Sequence, residues 1–288
     1  MAARPRTLPA AVAPVLVGTA AAVEVSDELH VGAFLAALVG SIFIQIGTNL
    51  ANDYSDAKRG ADSLDRLGPV RVTASGLAAP QRVLVATWVA FGVAVAAGAY
   101  LAVVAGPEIL AVGAASILAG ILYTGGPRPY GYAGLGEAFV FLFFGLVAVN
   151  GSYFVQVELL DWLPFALSIP VGFLSTAILV VNNVRDIDTD RRAGKMTLAV
   201  RLGRPRARAL YAALVGGAYV GLPIALLVTG GPAWGLIALA SAPLAIRPVR
   251  GVANRTDGPA LNAALAATGA LLGAFSLLLT SGLLLAAA

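Results

Sequence analysis

Long apolar runs dominate the chain, and each is cut by glycine, proline or a group of charges. Taken as spans of roughly 17–25 residues, the length a helix needs to cross a bilayer, they predict about nine helices. These fall near 8–24, 31–52, 82–104, 107–124, 135–156, 162–184, 207–229, 232–248 and 261–285. Two of the runs end in similar polar patterns. Asn49-x-x-x-Asp53-x-x-Asp56 closes the run that begins near Val31, and Asn182-x-x-x-Asp186-x-x-x-Asp190 closes the one that begins near Trp162. Steps of three and four residues put the members of each set on one helical face, whereas Asp188 falls off that face and reads as a solvated residue. The likeness of the ends of helices two and six hints at a weak internal repeat offset by four helices.

Composition turns these runs into membrane spans. The 288 residues are 59% hydrophobic and 12% charged, with a mean hydropathy of +0.85. That excludes an ordinary soluble domain and predicts an all-α polytopic membrane protein, its helices arranged around a central cavity open to the cytoplasmic side. No polar linker is long enough to divide the chain, so 1–288 reads as one integral-membrane domain. Gly92, Gly98, Gly113, Gly120, Gly216, Gly217 and Gly221 read as close-packing positions, because small residues let helices approach in lipid.

Charge then orients the spans. With a cytoplasmic N-terminus, the loops near 53–81, 125–134, 185–206 and 249–260 share one side. Together with Arg4, Arg6 and the flanking helix ends they hold all 19 Lys and Arg. The opposite loops carry Glu24, Asp27, Glu28, His30, Glu108, Glu158 and Asp161. This bias follows the positive-inside rule and places the protein in a plasma membrane. The abundance of Ala, Gly and Arg points to a prokaryote. The net charge of +4 is then a basic cytoplasmic face rather than a nucleic-acid surface, and no obligate protein partner is evident beyond the bilayer. Arg4 and Arg6 ahead of an apolar run ending in Ala20-Ala21-Ala22 also resemble a cleavable leader, but its loss would remove the first helix. Without cysteine there is no disulfide or thiolate chemistry. His30, away from every motif, reads as a surface residue.

Carboxylates at the rim of a bilayer are costly and face water, a cation or a partner. Two such clusters can hold divalent cations, and a diphosphate is the natural third party: Mg²⁺ binds phosphate oxygens together with one or two carboxylates. Asp53 and Asp56 offer one pair and Asp186 and Asp190 the other, with Asn49 and Asn182 one turn earlier. Lys58, Arg59, Arg71, Arg185, Arg192 and Lys195 are nearby partners for the remaining phosphate oxygens. The longest cytoplasmic loops, 53–81 and 185–206, follow the two clusters and read as caps over a charged substrate, with Asp62 leaning toward the site and Asp65 toward water. In Tyr123-Thr124-Gly125-Gly126-Pro127-Arg128-Pro129-Tyr130-Gly131-Tyr132, Gly and Pro predict a tight turn. Tyr123 is placed to face the cavity, and Glu137 to act as a base or to pair with Arg128. The bland alternative throughout is mutual pairing of acids and bases at the membrane surface.

Together these stretches resemble the UbiA superfamily of intramembrane prenyltransferases, and within it the branch that acts on 1,4-dihydroxy-2-naphthoate. The resemblance rests on N-D-Y-S-D-A-K-R-G-A-D at 52–62, G-P-V-R-V-T-A-S-G at 68–76, Y-T-G-G-P-R-P-Y-G-Y-A-G-L-G-E at 123–137 and N-N-V-R-D-I-D-T-D-R-R-A-G-K-M-T-L at 182–198. Tyr130 departs from the branch pattern, which has an aliphatic residue there. The resemblance implies that Asn49, Asp53, Asp56, Asn182, Asp186 and Asp190 hold Mg²⁺, two ions in all, and the diphosphate. It further implies that Asn52, Asn183, Arg71, Tyr123 and Lys195 contact substrate. The reaction implied joins a polyprenyl group from polyprenyl diphosphate to dihydroxynaphthoate, with loss of diphosphate and CO₂, and gives demethylmenaquinone for the menaquinone pathway. Other acceptors within the superfamily are 4-hydroxybenzoate, homogentisate or a glycerol lipid. Two other classes fit less well. A CDP-alcohol phosphotransferase needs a D-G-x-x-A-R run that is missing, and a transporter would carry its charges near the bilayer midplane.

Overall fold

The computed structural model describes residues 4–60, 67–68 and 71–288, and among them there are helices and no strands. Nine helices follow in order: α1 (Pro9–Ser26), α2 (Val31–Lys58), α3 (Pro80–Ala105), α4 (Glu108–Leu122), α5 (Gly136–Val157), α6 (Trp162–Arg192), α7 (Leu198–Thr229), α8 (Ala233–Asn254) and α9 (Gly258–Ala287). Eight are long and apolar enough to cross a membrane, α1 with the short turn Pro5–Thr7 ahead of it. The exception is α4, whose 15 residues rise only about 22 Å at ~1.5 Å per residue. The chain is thus an all-α multi-pass membrane protein.

The ends of these helices follow from local chemistry. Asp161 caps α6 by accepting from the Leu163 amide at 2.9 Å, and Asp257 caps α9 by accepting from the Ala260 amide at 2.9 Å. Each leaves one fewer unpaired N–H at a helix start. Within α7, Gly203 has φ 75° and ψ 161°, a conformation open to glycine alone at little cost. The chain turns there before Pro205, so the segment Leu198–Leu202 is a short helix set at an angle to the long one.

Three boundaries differ from the sequence expectation. Helix α2 runs on to Lys58 and α6 to Arg192, past their expected limits, so both polar clusters lie wholly within helices, as their spacing predicts. The stretch 185–206, expected to be a capping loop, has only 193–197 outside helices. Hydropathy stops where charge begins, but the backbone hydrogen-bond ladder does not need apolar side chains and continues past the membrane edge.

α6 is the axis of the bundle. It is buried almost throughout, from Leu163 to Ile187, and packs against α7, α9, α5 and α1, while α2 pairs with α3 on the other side. Where α5 crosses α6 the backbones touch: a Cβ on Gly145 would lie 2.7 Å from the Gly172 Cα and 3.0 Å from the Ser168 carbonyl oxygen. Around this contact α5 widens into π-type turns over Phe141–Val147, a local departure common near functional sites. The widened turns set Phe143, Phe144 and Val147 on a central cavity. Val85, Val89, Val103, Ile224, Leu227 and Val228 are exposed on the outside, as lipid-facing residues should be.

Candidate active site

The cavity occupies about 320 Å³ between α1–α6, and its wall changes character along its length. At one end stand Asn49, Asn52, Asp56, Arg71, Asn182, Asn183, Asp186, Asp190 and Lys195. Toward the other the lining is apolar, with Leu101, Ile109, Val112, Ala148 and Val155. Because α2 and α6 both line the space, the two polar patterns, 133 positions apart by their asparagines (182 − 49), are brought to the same end of it.

Asp56 is the centre of the first cluster. Its Oδ2 accepts from Arg71 Nη2 and from Lys195 Nζ, each at 2.9 Å, and its Oδ1 accepts from the Tyr132 hydroxyl at 2.7 Å. The side chain is 1% exposed, so this is a buried anion held by two cations, which offset the cost of taking it out of water. Lys195 also ties the clusters together: its backbone N–H donates to the Asp190 carbonyl at 2.8 Å while its ammonium reaches Asp56. The same ammonium lies 4.9 Å from the centre of the Tyr132 ring.

Asp53 is also buried, yet it does not line the cavity. Its two oxygens accept from the backbone amides of Val72 and Thr73 at 3.0 and 2.9 Å, which fastens the segment after Arg71 onto α2. In the second cluster, Asp186 and Asp190 line the cavity. Arg185, 2% exposed, turns away from the cavity to grip Asp186, Asn182 and Asn262. Asp188 lies on the outside, as the helical spacing predicts, and pairs with Arg204 at 2.8 Å.

The remaining expected residues divide cleanly. Tyr123 lines the cavity, and its ring packs edge-on against Tyr130, which stacks on Phe139 with centroids 3.9 Å apart. Burial pushes the Tyr130 phenol up, so it stays a donor, to the Ala119 carbonyl at 2.9 Å. Lys58, Arg59 and Arg192 are exposed and outside the cavity lining; Arg59 donates to the Gly126 carbonyl. Glu137 is buried and accepts from Asn183 at 2.9 Å rather than from Arg128, which is exposed. Asp62 and Asp65 fall outside the described residues.

Several contributors escaped sequence reasoning. Thr7 accepts from Gln45 at 3.1 Å and from Asn49 at 3.4 Å, Thr124 donates to Asn52 at 2.8 Å, and Tyr132 holds Asp56. The Tyr hydroxyls of 123–132 were a usable signal, but which of them faced a carboxylate was not.

Among the described residues no three carboxylates or imidazoles are drawn together as a ready metal site. The donor set itself fits a hard cation: carboxylate and amide oxygens, with no sulfur or imidazole. Asp56, Asp186 and Asp190 share one cavity with Asn49, Asn182 and Asn183. Arg71 and Lys195, which hold Asp56, are cationic donors of the type that bind phosphate oxygens.

Comparison with known proteins shows the family. Residues 11–272 match the model of the UbiA prenyltransferase family. The chain is 46% identical over 267 residues to the 1,4-dihydroxy-2-naphthoate octaprenyltransferase of Mycobacterium tuberculosis, covering 93% of this chain and 90% of that one. To the octaprenyltransferase of the same name from Escherichia coli it is 41% identical over 280 residues, covering 93% and 90%. A solved UbiA homologue from Archaeoglobus fulgidus, bound to GPP and Mg²⁺, superposes with a TM-score of 0.62 at 15% identity over 97% of this chain and 98% of that one.

Proposed function

The chain belongs to the UbiA prenyltransferase family, and on that premise we propose that it transfers a polyprenyl group from polyprenyl diphosphate to 1,4-dihydroxy-2-naphthoate. The acceptor is supported by the relatives that carry the name 1,4-dihydroxy-2-naphthoate octaprenyltransferase and by their coverage of the chain. The observation that carries the reading is one cavity with a carboxylate, amide and cation end and an apolar, aromatic remainder.

Each part of that cavity answers a chemical need. Asp56, Asp186 and Asp190, with Asn49 and Asn182, are the residues proposed to hold Mg²⁺, one ion for each cluster. Asp53, tied to the Val72 and Thr73 amides and outside the cavity lining, joins them with the lone pairs those amides leave free. The metal supplies neutralisation of the charge that develops on the diphosphate as its bond to carbon breaks. Arg71 and Lys195, mobile side-chain donors, turn from Asp56 to the phosphate oxygens. The allylic cation left behind sits beside Tyr123, Tyr130, Phe139 and Phe143, aromatic side chains that line the cavity and whose π-systems favour positive charge. The polyprenyl tail lies along the apolar part of the cavity. Water is kept out of that end, so the cation survives until the electron-rich ring attacks through its carboxyl-bearing carbon. Carbon dioxide then leaves, the electron pair of the broken C–C bond restores the aromatic ring, and the direct product is the hydroquinone form, demethylmenaquinol, which a separate two-electron oxidation converts to demethylmenaquinone.

The chain is proposed to be one domain, with its active site facing the cytoplasm of a prokaryote and its N-terminus on the same side. The one-sided distribution of its 19 Lys and Arg supports this. The direct test offers the purified protein a polyprenyl diphosphate and Mg²⁺ in nanodiscs, with dihydroxynaphthoate in one reaction and 4-hydroxybenzoate in another. Prenylated, decarboxylated product from the naphthoate alone, abolished by EDTA, is expected. Product from hydroxybenzoate alone would overturn the acceptor and keep the chemistry.

A further inference from the structure

Arg185 and Asp186 are sequence neighbours on one helix, and neighbours at that spacing do not face each other. Yet they form a two-pronged pair, with Arg185 Nε donating to Asp186 Oδ1 at 2.8 Å and Nη2 to Oδ2 at 2.5 Å. The helix alone does not supply this geometry; the guanidinium has to be drawn around the helix and held. Two amide oxygens do so. Asn182 Oδ1, one turn earlier on α6, accepts from Nη2 at 2.9 Å. Asn262 Oδ1, from the first turns of α9, accepts from Nη1 at 2.7 Å. The other end of the Asn262 amide is also engaged: its Nδ2 donates to the Leu67 carbonyl at 2.9 Å, which fixes which atom of the amide is the oxygen. Leu67 in turn packs on Gly258, where an added Cβ would lie 3.0 Å from the Leu67 Cβ.

From this chain of contacts we infer that Asn262 is a positioning residue for the second carboxylate cluster, acting on Asp186 through Arg185. Asp186 lines the cavity while Arg185 and Asn262 stand behind it, so the asparagine works without touching substrate. A buried guanidinium with one edge released would turn to satisfy its donors elsewhere and carry the carboxylate with it. The groups behind a ligand commonly set its orientation and hence its affinity for metal. The inference rests on the proposed role of Asp186 in holding a divalent cation.

The test measures Mn²⁺ binding to the full-length protein in detergent by electron paramagnetic resonance, without substrate. Wild type is expected to bind Mn²⁺ and Asp186→Asn to lose it; a wild type that binds none overturns both the metal reading and this inference. Asn262→Leu is expected to weaken binding about tenfold, the lower end of the scale for lost support behind a metal ligand, with an unaltered thermal transition. Asn262→Ser, shorter and polar, gives the same reading should the leucine variant fail to fold. In an Arg185→Met background Asn262→Leu should change nothing further, because the two act as one unit. Mn²⁺ affinity unchanged or tightened in the folded Asn262 variants, or losses that add with Arg185→Met, would overturn the inference.

Discussion

A carboxylate keeps lone pairs for a metal while it accepts hydrogen bonds, so what separates Asp53, Asp56 and Asp188 is whether each reaches the cavity and how freely its donors can turn elsewhere. Asp56 is held by side chains, Arg71, Lys195 and Tyr132, which can swing to a phosphate. Asp53 is held by two backbone amides that move only with their whole segment. Asp188 is itself exposed and pairs with the half-buried Arg204, a surface pair whose worth is only about 0–1 kcal/mol. Asp56→Asn and Asp186→Asn are therefore expected to lower turnover by at least about tenfold in the transfer assay, the scale at which metal-site substitutions act. Asp188→Asn should stay within about twofold, since surface changes seldom matter more. Equal losses at all three positions would mean that charge at the membrane surface, not ligation in the cavity, is what the assay reads.

Among the elements, α5 carries the sharpest constraint. It reaches α6 closely enough for the Gly145 and Gly172 backbones to touch, and its π-type turns span that crossing. A leucine at position 172 cannot be housed without moving one helix, and overpacking of this kind costs about 1–3 kcal/mol. Gly172→Leu should lower the thermal unfolding temperature in detergent and reduce activity together, because Phe143 and Phe144 would shift with α5. In contrast, Gly216→Ala on α7 meets open space, with nothing within 4 Å of an added Cβ, and should leave both unchanged.

The whole molecule has a polar end and a long apolar body, and the bias of its charges is the ground for the proposed orientation. The chain contains no cysteine, so single introduced cysteines are clean reporters of sidedness. In intact cells, a cysteine at Leu160 is expected to react with an impermeant maleimide and one at Gly194 to be shielded until the membrane is opened. The reverse pattern would invert the proposed orientation.

Much of this was legible along the chain because hydropathy, helical period and charge are local properties. They sufficed for nine helices, for two carboxylate faces on helices two and six, and for Asp188 pointing away. Helix ends were read too early because apolarity ends before hydrogen bonding does, which is why α2 and α6 overran their expected limits. Which donor each carboxylate would meet was not legible. Tyr132 and Asp56 are 76 positions apart, Lys195 and Asp56 139, and Arg185 and Asn262 77. Only helix packing sets such meetings. The sequence by itself determined the elements, the solvent they live in and the oxygen-rich chemistry, since each depends on residues within a few turns. The tertiary structure alone decided that Asp53 faces backbone amides while Asp56 faces the cavity, and that Asn262 stands behind Asp186. The reason is physical: a side chain's partners are chosen by which faces the bundle buries together, and no neighbour in sequence records that.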